Sequence, residues 1–114
     1  MKDLELRRIG YFSGTEQYHR LPFFETVATD GVIYLVDNGY SWFVTDAVAV
    51  AEAKFKDMPF LHITLKLLGD DKGQMVITDG DKNILYSQKY GYTDAKRELS
   101  FYIVDRVALL PSEY

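Results

Sequence analysis

Phe60-Leu61-His62-Ile63-Thr64-Leu65-Lys66-Leu67 alternates its side chains with a period of two. Leu61, Ile63, Leu65 and Leu67 share one face of an extended chain, and His62, Thr64 and Lys66 share the other. This alternation predicts a half-buried strand. The chain beyond it repeats the pattern. Gly69-Asp70-Asp71-Lys72-Gly73 reads as a turn, and residues 74–78 as the next strand. Asp79-Gly80-Asp81-Lys82 turns the chain again, since Asp-Gly between apolar runs favours a tight hairpin. Residues 84–90 form a third strand. Gly91-Tyr92-Thr93-Asp94 is a loop, and residues 99–104 a fourth strand. Residues 107–110 extend the sheet or pack on it. The second half therefore reads as an antiparallel meander of four to five strands.

Upstream the period changes. Thr29-Asp30-Gly31 opens a helix, because Thr29 or Asp30 can accept from its free N–H groups. Val32, Leu35 and Val36 form an apolar stripe, and Asn38-Gly39 stops it. A second helix runs over residues 41–55, with Val44, Ala47, Val48, Ala51 and Phe55 on one stripe. Glu52 and Lys56 are spaced for an i,i+4 pair. Residues 23–28 read as a short strand after a turn at Leu21-Pro22. A short helix ending near Gly10 precedes them, and Ser13-Gly14-Thr15-Glu16 has capping-box spacing. The expected architecture is one α+β domain over residues 1–114, with two to three helices covering the meander.

Composition sets further bounds. The 114 residues include no cysteine, which excludes disulfides, thiolate metal sites and cysteine nucleophiles. No apolar run approaches a membrane span, and the N-terminal residues lack a secretory h-region, so a cytoplasmic location is expected. Residues 1–57 carry six basic and nine acidic side chains, and residues 58–114 carry seven and eight. Neither half is basic, so nucleic acid is not the expected partner unless a patch assembles in space.

Few residues suggest chemistry. Asp79-Gly80-Asp81-Lys82-Asn83 opens like a calcium loop, but Ile84 and Tyr90 stand where the required Gly and Glu should be. A hairpin turn explains it better. The two histidines, His19 and His62, lack metal-binding spacing, and neither a metal nor a cofactor is expected. Glu16, His19 and Asp30 are the acid–base candidates, since imidazole titrates near neutral pH; hydrogen bonding within a loop is the plainer role for them. No Gly-x-Ser-x-Gly elbow or phosphate-binding glycine loop occurs. The aromatic residues offer a stacking or docking surface. Tyr18, Trp42, Asp46, Tyr92 and Asp94 are the binding candidates; Trp42 and Asp46 lie four residues apart, on one side of a helix, and burial against the sheet is the plainer role for Trp42.

Several stretches together resemble one family. They are Phe12-Ser13-Gly14-Thr15-Glu16-Gln17-Tyr18, Thr29-Asp30-Gly31-Val32-Ile33-Tyr34-Leu35 and Tyr40-Ser41-Trp42-Phe43-Val44-Thr45-Asp46. Pro59-Phe60, Asp79-Gly80, Tyr92-Thr93-Asp94 and Leu110-Pro111-Ser112-Glu113-Tyr114 follow in the same order. The chain is similar to small uncharacterised proteins of bacteria, their phages and mobile elements, grouped as a domain of unknown function. That resemblance implies no catalytic residues. It implies an accessory or host-interaction role, with interference with a host defence among the possibilities. The leading expectation is a non-enzymatic protein that docks on a macromolecule, with a protein partner favoured. A small enzyme built on Glu16, His19 and Asp30 is the alternative, and single-strand binding through exposed aromatics the third reading. An exposed sheet edge would also allow homodimerisation or strand addition.

Overall fold

Leu61, Ile63 and Leu65 are buried, and the rest of the molecule is arranged around the face they share. A computed structural model describes residues 17–114. The expected helix before Gly10 and the Ser13–Glu16 capping box lie outside the described residues. The strands are β1 (Tyr18–Arg20), β2 (Val27–Thr29), β3 (Phe60–Gly69), β4 (Lys72–Thr78), β5 (Ile84–Tyr90), β6 (Leu99–Val104) and β7 (Val107–Leu109). They form one sheet in the order β1-β2-β7-β6-β3-β4-β5.

The α+β class holds, but two details of the expectation are corrected. Among the described residues the sheet has seven strands, not four to five, and it is mixed, because β2 runs parallel to β7. It is also not a simple meander. After β5 the chain returns to the other side of β3, so that β3 lies between β4 and β6. Nor are there two to three separate helices among the described residues. One helical run, α1, spans Asp30–Leu35, a π-helical turn Val36–Tyr40, and Ser41–Lys54. Asn38 and Gly39 leave helical geometry, with Gly39 at φ 96°, and kink the run without ending it. A 3₁₀ turn, Pro111–Glu113, follows β7.

The hairpins follow from turn chemistry. Asp70 and Asp71 both have positive φ between β3 and β4, as a type I′ turn requires, and aspartate tolerates that region. Gly80, at φ 91°, packs so closely on the Phe60 ring that an added Cβ would come within 2.8 Å of it. The expected strand over residues 23–28 is shortened to Val27–Thr29. Pro22 and Phe23 instead make a turn closed by Phe24 N–H donating to Leu21 O at 3.2 Å. Phe23 takes φ 70° there, a conformation that normally selects glycine.

The core lies between α1 and one face of the sheet. Phe43, Val44, Ala47, Val48 and Ala51 of α1 are buried against Leu61, Ile63, Met75, Ile77 and Phe101. The Phe43 and Phe101 rings meet edge to face, 5.5 Å between centroids. The expected Glu52–Lys56 pair is replaced by other contacts. Glu52 accepts from the Thr26 N–H and hydroxyl, both at 2.7 Å, and so ties α1 to the chain entering β2. Lys56 faces Glu25 at 3.4 Å.

Candidate functional site

The residues singled out from sequence do not converge. Tyr18 is exposed on β1, at one edge of the sheet. Trp42 and Asp46 do come together, but on an internal contact. The Tyr90 hydroxyl donates to Asp46 Oδ2 at 3.0 Å, and Trp42 stacks edge to face on Tyr90 at 5.0 Å. Burial, reinforced by the Asp46 charge, pushes the Tyr90 hydroxyl far above its ordinary range. This triad fastens α1 to β5, the opposite edge. Tyr92 and Asp94 are exposed in the following loop, which is anchored by the Thr93 N–H donating to Asp71 O at 2.6 Å.

Of the acid–base candidates, Glu16 lies outside the described residues. His19 Nε2 and Asp30 Oδ1 are 2.8 Å apart, about one-third exposed, and join β1 to the first turn of α1. Three grooves lie elsewhere. A cavity of about 370 Å³ is lined by Leu21, Pro22, Phe23, Phe24, Val36, Ser41, Val44 and Thr45. A pit of about 20 Å³ sits beside Thr26 and Glu52. A shallow groove of about 400 Å³ runs from Lys56 to Pro59 and past Asp105 and Arg106. Neither His19 nor Asp30 lines any of them. Among the described residues, no three His, Cys, Asp or Glu side chains are grouped to hold a metal. Asp79 is engaged in its own turn. It accepts from the Asn83 side-chain amide at 2.8 Å and the Asp81 N–H at 2.8 Å, which hold its carboxyl below the usual carboxylate range.

The clearest surface feature is one the sequence reading passed over. The registers put His62 opposite Tyr102, on the face of the sheet turned away from α1. Phe60 shares that face by alternation. Centroids are 4.9 Å apart for Phe60–Tyr102 and 5.0 Å for His62–Tyr102. Tyr114 completes the group, 5.7 Å from Phe60 and 5.5 Å from Tyr102, and is 72% exposed. Phe60, His62 and Tyr102 are each partly open to solvent. No helix among the described residues covers this face.

Tyr114 is placed by its neighbour. Glu113 reaches back to the start of α1: Oε1 accepts from the Thr29 hydroxyl at 2.6 Å and the Leu110 N–H at 2.8 Å. Oε2 accepts from the Gly31 N–H at 3.2 Å. A carboxylate suits a helix N-terminus, where N–H groups and the dipole favour negative charge. A Cβ on Gly31 would lie 2.6 Å from Glu113 Oε1, so only glycine admits this clasp without displacement.

Partial burial holds the His62 imidazole below its ordinary pKa, because desolvation disfavours the cation. The unfolded chain then binds more protons between the lowered pKa and the ordinary value near 6.5. Stability from this group is present above that window and is lost as pH falls through it. His62→Gln is therefore expected to show a smaller drop in Tm between about pH 7.5 and pH 5.5 than the parent chain. An equal drop in both would remove His62 as the cause.

A family model described as "Family of unknown function (DUF6876)" matches residues 4–114. No curated protein and no solved structure matches the chain. Among the described residues, no helix is long and apolar enough to cross a membrane.

Proposed function

We propose that the chain, which belongs to the family of unknown function DUF6876, is a non-enzymatic interaction protein that docks a macromolecular partner on the sheet face turned away from α1, at its partly exposed ring cluster. The observation that carries this reading is the ring cluster of Phe60, His62, Tyr102 and Tyr114 on a face that no described helix covers. Aromatic side chains of this kind are the usual energetic anchors of binding surfaces. We place its action in the cytoplasm, as an accessory factor of a phage or mobile element directed at a host macromolecule, a host-defence component included. The likeness to small proteins of that setting supports this placement.

A small enzyme using Glu16, His19 and Asp30 is the second reading, favoured by the 2.8 Å His19–Asp30 contact. It ranks below docking because, among the described residues, the pair lines none of the three grooves above, and a catalytic base needs a substrate pose within hydrogen-bond reach.

A photoreactive phenylalanine analogue at position 114 tests docking, with position 92 as the control of equal exposure, 72%. In cells of the organism that encodes the chain, irradiation should give a discrete heavier adduct from position 114 and none from position 92. No adduct from 114, or the same adducts from both, sinks the reading.

A further inference from the structure

We infer that the partner held on the open sheet face is a single-stranded nucleic acid. The inference rests on the docking reading above and adds the chemical class of the partner. Its first support is the way charge divides between layers. The chain as a whole is acidic, with a formal net charge of −4. Yet none of the seven strands contains an aspartate or glutamate. Among the described residues, the carboxylates sit instead in α1 (Asp30, Asp37, Asp46, Glu52) and in the turns. On this face, alternation and register place Arg20, Lys66, Lys72 and Lys89 outward. Net charge therefore misrepresents this surface, which presents cations around a strip of rings.

The arrangement of the rings is the second support. They sit on the adjacent inner strands β3 and β6, with Tyr114 beside them. Bases of an unpaired strand stack on aromatic side chains whatever their identity, because every base has a π-face. A duplex hides those faces, so a ring-bearing sheet selects single strands. Across the sheet, six inter-strand steps of about 4.8 Å span roughly 29 Å. That length holds several nucleotides. The carboxylates of Asp70, Asp71, Asp79, Asp81 and Glu98 lie at the strand ends. The bound strand runs across the sheet, from Lys89 on β5 towards Arg20 on β1.

A protein partner fits less well. Lysine is depleted at the centre of protein–protein interfaces, whereas here Lys66 flanks the ring strip on β3 itself. Phosphates supply the complementary charge.

The test is fluorescence anisotropy of the full chain with a fluorescein-labelled 20-nucleotide oligo-dT, its oligo-U counterpart, and a 20-base-pair duplex. The two single strands distinguish DNA from RNA as the source. Binding is expected at 50 mM NaCl for at least one of them, about tenfold or more tighter than for the duplex. With about three phosphate contacts, the log–log salt slope should be near −2, a loss of roughly fifteenfold at 200 mM NaCl. Tyr102→Ala and, separately, Tyr114→Ala should each weaken binding about tenfold. Tyr114 is exposed enough to be removed with little effect on folding, which a thermal melt checks. Lys66→Gln and Lys89→Gln should each flatten the salt slope by about 0.7.

No anisotropy change with either single strand at 50 mM NaCl overturns the inference. So does equal affinity for the duplex, or binding that both tyrosine variants retain. If no oligonucleotide binds while the position-114 adduct survives nuclease and is destroyed by protease, docking stands and the partner is a protein. If no adduct forms at all, the docking reading itself fails.

Discussion

Phe43→Ala lowers the unfolding free energy by about 3–5 kcal/mol, the range for deleting a buried phenylalanine ring. Phe43 is completely buried in α1 and packs edge to face on Phe101 of β6. The variant loses the transfer energy of the ring, the aromatic pair and the packing of the helix on the sheet. Little can refill the space, because the surrounding Val44, Ala47 and Ile63 are themselves buried and held by secondary structure. A small domain has roughly 5–15 kcal/mol in total, so Tm should fall by on the order of 15 °C. Urea denaturation should show a lower midpoint with an unchanged slope. Phe43→Leu keeps most of the volume and should cost about 1.5 kcal/mol or less. A loss below about 1 kcal/mol for the alanine variant would mean that α1 does not pack on the sheet as described.

Glu113→Ala should cost about 2–4 kcal/mol, a large effect for a residue that is only partly buried. It removes the acceptor for the Thr29 hydroxyl, the Gly31 N–H and the Leu110 N–H, all on residues that are themselves buried. Water can reach the vacated site in part, which keeps the loss below the sum of three unsatisfied donors. Glu113→Gln preserves one carbonyl oxygen and so the bonds made by Oε1, and should lose only about 1 kcal/mol. Gly31→Ala should resemble Glu113→Ala, since its Cβ displaces the carboxylate. Amide exchange at Gly31 and Leu110 gives an independent readout. It should quicken at both in the alanine variants, whereas in Glu113→Gln it should stay slow at Leu110 and quicken at Gly31, which loses its Oε2 acceptor. Unchanged exchange in Glu113→Ala would show that the clasp is not formed in solution.

How much of this was legible beforehand divides along physical lines. The faces were legible. The alternation at residues 60–67 assigned Leu61, Ile63 and Leu65 to the core, and the stripe of Val44, Ala47, Val48 and Ala51 did the same for α1. Turn chemistry placed the β4–β5 hairpin at Asp79-Gly80. The neighbours were not legible. A period of two says which way a side chain points and nothing about which strand lies alongside. The return of β6 to β3 and the parallel pairing of β2 with β7 are therefore found only in three dimensions.

The site followed the same division. Tyr18, Trp42, Asp46, Tyr92 and Asp94, the binding candidates, spread from one edge of the sheet to the other. Phe60, His62, Tyr102 and Tyr114 are dispersed in sequence and meet only through register. One signal was available in the sequence. His62 occupies the outward position of a strand whose inward positions are apolar, and the segments that read as strands after residue 59 contain no carboxylate. Summing charge over whole halves of the chain averaged that segregation away.

The pairing of Val27 and Ala28 with Val107 and Ala108 sets the order of events during synthesis. A chain leaving the ribosome can make the β3–β4–β5 hairpins as soon as those residues emerge. It cannot complete β1 and β2, or satisfy the start of α1, until residues 107–113 are available. The first-made segment must wait for a late one, with most of the chain as the loop to be closed, and such long-range closures are slow. Until then the edges of β6 and β2 are unpaired and prone to association. Nascent chains stalled before residue 107 should therefore be protease-sensitive at residues 17–30, and release of the finished chain should protect them.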